Sequence, residues 1–208
     1  MARRIIALGR GYIGQAFEAA GIPVYSRKLK WNYTDPCEME SILCDTDVVI
    51  NCAGFTGRPN IDECEVKRRE TVEANVVLPA NLSRVSKAMG ARFVHISSGC
   101  IFQGSGNYDE SEPPAANLSF YSQTKAMAEE VVEGLILRIR MPFDHSSHPR
   151  SLLTKLASYP KLINYENSLT YIPDLVMAST TWSTAARSCI GTLRRRWDGA
   201  RNGCRLRR

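Results

Sequence analysis

The sequence predicts an α/β protein, a Rossmann-like doubly wound parallel sheet followed by a reduced or truncated substrate-binding region. Two observations carry the prediction. Short, almost unbroken apolar runs alternate with stretches of helical periodicity across residues 5–139, as strands buried on both faces of a parallel sheet require. The first run ends at Gly9, and Gly9, Gly11 and Gly14 form a GxGxxG spacing that opens a helical segment.

The elements follow in order. Ile5, Ile6, Ala7 and Leu8 make the first strand, and residues 12–20 have helical character. A second short strand runs through Ile22, Pro23, Val24 and Tyr25, where Pro23 fits only a strand start or a sheet edge. Residues 43–47 lead into Val48, Val49 and Ile50, a continuous apolar strand. Residues 72–89 read as a helix, 93–96 as a strand, 121–133 as a helix and 135–139 as a strand. Beyond Pro142 the periodicity weakens, and Pro149, Pro160 and Pro173 punctuate segments suited to substrate-facing loops and small helices. The expected organisation is an NADP-binding domain over residues 1–141, a partial substrate-binding region over 142–183 and a basic, poorly ordered tail over 184–208.

Composition narrows the class. With 208 residues, 44% of them hydrophobic, the chain is neither a disordered segment nor a mini-protein that depends on covalent staples. No apolar run is long enough to span a membrane and residues 1–20 lack a signal-peptide pattern, so a soluble cytoplasmic protein is expected. The seven cysteines are odd in number and form no CxxC, which signals neither a disulfide framework nor a metal site. The net charge of +6 is concentrated at one end, where residues 187–208 hold eight arginines and one aspartate and so carry +7. The other 186 residues carry −1, so the basic balance argues for no specific nucleic-acid partner.

The glycine turn has a chemical reading. Gly9 permits the tight turn, Gly11 lets a pyrophosphate approach the backbone, Gly14 allows close packing of helix on strand, and the first helical residues, Tyr12 and Ile13, present a helix N-terminus to phosphate. After the second strand the carboxylate that reads an unmodified ribose is missing, and Ser26, Arg27 and Lys28 stand there instead. Two cations suit a 2′-phosphate, so NADPH is favoured over NADH, with NADH left open. The alternative is a solvated loop, with Asp35 reaching adenine or ribose. Ala53 and Gly54, after the third strand, are small enough for a cofactor to pass closely, as is Gly57.

Tyr121 and Lys125, four residues apart in a helical segment, share a face. An ammonium near the phenol favours its ionised form and makes Tyr121 a usable proton donor and acceptor. Ser98 follows the strand of residues 93–96, where its hydroxyl can hold a carbonyl or alcohol oxygen. A glycine turn, then Ser98, Tyr121 and Lys125 in that order, is a far more specific pattern than any of its parts. His95 reads as a packed strand histidine.

These residues resemble the extended short-chain dehydrogenase/reductase family, and within it the plant-type nucleotide-4-keto-6-deoxyglucose 3,5-epimerase/4-reductases. The stretches that carry the likeness are NCAGFTGRPNIDECE at 51–65, ETVEANVVLPANL at 70–82, HISSGCIF at 95–102, FYSQTKAMAEEVV at 120–132 and LRIRMPFD at 137–144, continuing through 149–172. The resemblance implies that Ser98, Tyr121 and Lys125 are a reductase triad and that Asn75 supports the lysine through a helix distortion and water. It also implies that Cys100 and Lys155 are the proton-transfer pair of an epimerase, and that Gly57, Arg58, Pro59 and Asn60 lie near the site. The implied substrate is a nucleotide sugar, with a homodimer as an option. A 4-keto group acidifies the hydrogens on C3 and C5, which a base and an acid can invert before hydride reaches C4. Two other readings stand beside this one, a reductase or epimerase of another nucleotide sugar and a truncated, non-catalytic NADP-binding protein.

Overall fold

The computed structural model describes residues 3–26, 35–104, 107–162, 167–182 and 190–192. Its centre is a parallel sheet of β1 (Ile5–Leu8), β2 (Val24–Tyr25), β3 (Val48–Asn51), β4 (Arg92–Ser98), β5 (Leu135–Ile139) and β8 (Ile190–Thr192), in the order β2-β1-β3-β4-β5-β8. All five pairings are parallel. The chain moves outward from β1 to β2 and then returns to the other side of β1 to lay down β3, so the strand order reverses between β1 and β3. Open α/β sheets bind ligands at the carboxyl ends of the strands that flank such a reversal.

Strand alternation builds one core on each face. Ile6, Leu8, Val49, Phe93 and Ile136 meet Met39 and Leu43 of α2 (Pro36–Leu43) and Leu78, Leu82 and Val85 of α5 (Leu78–Ala88). Ala7, Val48, Ile50, Val94, Ile96 and Leu137 meet Phe17 of α1 (Tyr12–Ala19) and Leu175 of α8 (Ile172–Trp182). The sheet is therefore covered on both faces, which is why its strands read as unbroken apolar runs. No described helix is long and apolar enough to cross a membrane.

Three departures from the sequence reading have physical causes. The second strand is confined to Val24–Tyr25, because Pro23 has no N–H to give and enters only as an acceptor, from Ala7 N at 2.9 Å. The segment Pro36–Leu43, unassigned from sequence, is a helix started by Asp35, whose side chain accepts from Cys37 N at 2.9 Å, with Pro36 at the first helical position. The helix expected over 72–89 is instead α4 (Arg68–Val72), a π-helical stretch Glu73–Val77, and α5. Pro79 lies four residues after Asn75 and has no N–H to offer its carbonyl, so a regular α-helical ladder cannot run through this point.

The substrate-side region is lighter. It contains a two-stranded sheet of β6 (Pro142–Phe143) and β7 (Thr170–Tyr171), with α7 (Leu152–Ser158) between them in sequence. Three residues of the expected basic tail, Ile190–Thr192, form the sixth strand by pairing with β5. The rest of that tail lies outside the described residues.

Candidate active site

The glycine turn lies at the strand-order reversal. Gly9 N donates to Tyr25 O at 2.7 Å and Cys52 N to Leu8 O at 2.8 Å, so the turn is stitched to both neighbouring strands. Gly9 has φ +100°, and a Cβ there would sit 2.5 Å from the backbone of Ala53. A Cβ on Gly14 would lie 1.8 Å from the carbonyl oxygen of Gly9. Protein packing alone thus accounts for Gly9 and Gly14. Gly11 is different, because a Cβ on it meets nothing within 4 Å among the described residues. It is also the N-cap of α1 and gives the first helical amides no side-chain cap hydrogen bond. Open room at Gly11, at a helix start without a side-chain cap, fits a pyrophosphate.

Two more features fit a dinucleotide. Ser26 is buried at the end of β2, and its Oγ has no hydrogen-bond partner among the described residues. Gly54 is exposed. Arg27 and Lys28, the residues expected to choose between NADPH and NADH, lie outside the described residues. Asp35 caps α2. Tyr12 uses its side chain for structure, donating from its hydroxyl to Asp144 Oδ1 at 2.9 Å and stacking on His148 with ring centroids 4.4 Å apart. Burial pushes its phenol up to about 12, so it stays a donor and ties the glycine turn to the substrate-side segment.

The residues expected to carry the chemistry come from two elements. β4 ends at Ser98, which is 5% exposed, and the Ser98 Oγ accepts from Cys100 N at 3.2 Å to start the 3₁₀ turn Gly99–Ile101. Tyr121 and Lys125 lie on α6 (Phe120–Val131), whose N-cap Ser119 accepts from Ser122 N. The Ser98 hydroxyl is close enough to the Tyr121 phenol to favour its ionised form. Burial raises the phenol above its ordinary range, nearby Cys100 adds to this, and Ser98 and Arg150 oppose it. Lys125 is 4% exposed and its Nζ donates to Ile96 O at 2.8 Å, with His95 Nε2 at 3.2 Å. Burial draws it down to about 8, against the opposing effect of Glu129 and Cys52.

Asn75 occupies the middle of the π-helical stretch and is 1% exposed. Its side chain bridges the loop after β3 to α6, accepting from Phe55 N at 2.7 Å and donating to Phe55 O at 3.0 Å and Thr124 Oγ1 at 3.1 Å. The Lys125 Nζ bonds to β4 rather than to this side chain. Beside Cys100, Arg140 Nη1 donates to Gly99 O at 3.3 Å and to Cys100 Sγ at 3.5 Å. Lys155 is exposed on α7, and its side chain makes no hydrogen bond or ion pair among the described residues. The structure therefore gathers Ser98, Cys100, Tyr121 and Lys125, while no contact joins Lys155 to them.

Sequence reasoning missed Arg150 and underread His95. Arg150 donates to Thr56 Oγ1 and to Gly57 O at 3.3 Å, and its charge favours the ionised Tyr121 phenol. No motif marks it, because its contact with the loop after β3 spans 93 residues. His95 lies inside an apolar strand, and only the fold sets it against Lys125.

Comparison with known proteins agrees with this architecture. A bifunctional dTDP-4-dehydrorhamnose 3,5-epimerase/reductase of Arabidopsis thaliana is 35% identical over 184 residues, covering 81% of this chain and 60% of its own length. The chain thus spans less than two thirds of that relative. The L780 UDP-rhamnose synthase of Acanthamoeba polyphaga mimivirus superposes with a TM-score of 0.74 at 25% identity, over 93% of this chain and 75% of that one. A dTDP-4-dehydrorhamnose reductase of Bacillus anthracis, solved in complex with NADP, shares the fold with a TM-score of 0.71 at 23% identity, over 93% of this chain and 74% of its own. Residues 6–204 match the RmlD substrate binding domain, and with the sheet order and the Ser98, Tyr121 and Lys125 arrangement in view, the chain belongs to that family.

Proposed function

We propose that this chain reduces a nucleotide-linked 4-keto-6-deoxy sugar with NADPH, coupled to 3,5-epimerisation in nucleotide-rhamnose synthesis. The observation that carries this reading is Ser98, buried at the carboxyl end of β4 where it favours the ionised Tyr121 phenol, beside a glycine turn with open room at Gly11. NADPH, when bound, supplies the hydride for C4. Gly11 and the first amides of α1 hold the pyrophosphate, and Ser26 with Arg27 and Lys28 receives the adenosine ribose and its phosphate. Ser98 orients the C4 oxygen, and Tyr121 gives it a proton as negative charge develops there. The cation of Arg150 lowers the cost of the phenolate that remains. Positioned proton transfer of this kind contributes roughly 10²–10⁴-fold.

Epimerisation rests on Cys100. Its sulfur lies two residues beyond Ser98 and receives a hydrogen bond from Arg140, a contact suited to a group that takes a proton from C3 or C5 and holds it. Lys155 is the proposed partner on the opposite side of the sugar, reached by α7 when substrate lies between them. Among the relatives named above, the plant protein is named for both activities in one chain, the Bacillus protein for the reduction and the viral protein for UDP-rhamnose synthesis.

The test supplies purified protein with NADPH and UDP- or dTDP-4-keto-6-deoxyglucose, follows nicotinamide absorbance and reads product configuration by NMR. We expect a rhamno-configured product and loss of turnover in Tyr121→Phe. Folded protein that binds NADPH and turns over neither sugar would reject the reaction and favour the cofactor-binding reading.

A further inference from the structure

Asn51, His95 and Lys125 form a polar chain behind the catalytic face, at 0%, 0% and 4% exposure. Its first link fixes an orientation. Ala53 N donates to Asn51 Oδ1 at 3.0 Å, so the amide nitrogen Nδ2 is the atom that faces His95 Nδ1, at 3.0 Å. An amide nitrogen only donates, so Nδ1 must accept and carries no proton. A neutral imidazole with a bare Nδ1 bears its proton on Nε2. The doubly protonated ring is excluded by the same Asn51 donor, and burial keeps His95 well below its ordinary range.

The Nε2–H points at Lys125 Nζ, 3.2 Å away. An ammonium has only donors, and two donors cannot share a hydrogen bond. An uncharged amine satisfies both contacts, accepting from Nε2–H through its lone pair and donating to Ile96 O at 2.8 Å. We infer that Asn51 and His95 act as positioning residues that hold Lys125 as the amine in the ligand-free protein. Binding of the anionic cofactor then draws a proton onto Lys125 as it turns away from His95. The part concerning the cofactor rests on the proposed function, whereas the amine and the tautomer do not.

The titratable and charged groups that face Lys125 are few. Glu129 lies one turn along α6 and is tied to Arg138 at 2.7 Å and to Ser97, Cys52 follows β3, and His95 is on β4. Burial and His95 favour the amine, while Glu129 and Cys52 favour the ammonium.

NMR on the whole ligand-free chain decides the point. With ¹⁵N-histidine, His95 should show a bare Nδ1 and a protonated Nε2. With ¹³Cε-lysine, the signal lost in Lys125→Met should titrate no higher than about 8, well below the other lysines. Asn51→Asp keeps an acceptor for Ala53 N but turns a second oxygen toward Nδ1, so the proton should move to Nδ1 and the Lys125 midpoint should rise by about one pH unit or more. A protonated Nδ1 in the wild type, or Lys125 titrating with the bulk lysines, would overturn the inference, whether or not the variant folds. Calorimetry of NADPH binding above the Lys125 midpoint, in buffers of different ionisation heat, should show proton uptake. Binding without uptake would overturn the coupling, and no binding at all would instead count against the proposed function, leaving the tautomer to the NMR result.

Discussion

Ser98, Asn75 and Lys125 are each no more than 5% exposed, and each is hydrogen-bonded to a strand, a loop or a helix of the central sheet. Lys155 belongs to α7, a helix that buries none of its seven residues and shows Leu153 and Leu156 to solvent at 48% and 37%. The two halves of the proposed site therefore depend on the fold to different degrees. The reductase half is held by the contacts that hold the sheet, so substitutions there disturb chemistry and stability together unless they remove a single atom. The epimerase partner on α7 is nearly independent of the core, and changes there register in chemistry alone.

Removing one atom is the sharpest probe of the first half. Tyr121→Phe takes away the phenol oxygen from a half-buried ring, and reduction should fall by roughly 10²–10⁴-fold. The melting temperature and NADPH affinity should stay close to wild type. A large loss of stability would show that the oxygen holds the fold as well as the proton. Next in size is the buried pair of Arg138 and Glu129, whose side chains are 4% and 6% exposed. Arg138 also donates to Glu110 O at 3.0 Å and lies over the Phe102 ring, so the pair braces the loop beyond the 3₁₀ turn. Glu129→Ala leaves an unpaired buried cation and should cost about 3–5 kcal/mol in denaturant unfolding. Replacing both residues by apolar ones of similar volume should recover much of that loss.

Lys125 gives the comparison a pH axis. Its folded pKa is drawn from 10.5 down to about 8, so between these values the unfolded chain binds more protons than the folded one. Stability from this group therefore rises as pH climbs from about 8 to 10.5, by about 3 kcal/mol, and is absent below that window. Cys52 and Tyr121, both raised by burial, act with the opposite sign above their ordinary values of 9.0 and 10.0. The contribution is accordingly read as the difference between wild type and Lys125→Met in unfolding at several pH values. A difference that does not change with pH would remove the lysine from the buried network.

Gly11 separates ligand binding from folding within the same half. A methyl group there meets open space and the backbone φ of −82° suits any residue, so Gly11→Ala should change stability by less than about 0.5 kcal/mol. If the space holds pyrophosphate, NADPH affinity should drop by about tenfold or more, read by fluorescence titration. Unchanged affinity would place the cofactor elsewhere.

The parts legible in the sequence were those in which local chemistry and global fold agree. Ile5–Leu8 and Leu135–Ile139 read as strands because both faces of the sheet are covered, and Tyr121 and Lys125 share a face because α6 is regular there. The helix at Pro36–Leu43 had a readable start in Asp35 and Pro36 that went unused. Periodicity missed the break at Glu73–Val77, because an apolar repeat runs past Pro79, whereas the family resemblance had implied a helix distortion at Asn75, which lies within it. Arg150 and His95 were not legible as site residues, because their roles exist only once distant segments are packed together. The edge strand at Ile190–Thr192 was obscured by the arginines around it, which dominate any composition-based reading.

The smallest expected stability effects belong to α7, and they carry the greatest weight for the epimerase half. Leu153→Ala and Lys155→Ala both fall on exposed positions, so each should shift unfolding by no more than about 0.5 kcal/mol. Leu82→Ala, at 0% exposure in the core against β3 and β4, should cost about 2–5 kcal/mol by the same measurement. Chemistry should divide the two α7 variants that stability does not. If Lys155 transfers a proton at C3 or C5, Lys155→Ala should lose solvent deuterium incorporation at one of those carbons while still reducing a sugar supplied already epimerised. Leu153→Ala should retain both steps. Deuterium incorporation at wild-type rate in Lys155→Ala would remove α7 from the reaction and leave Cys100, with Arg140 beside it, as the group through which any epimerisation must proceed.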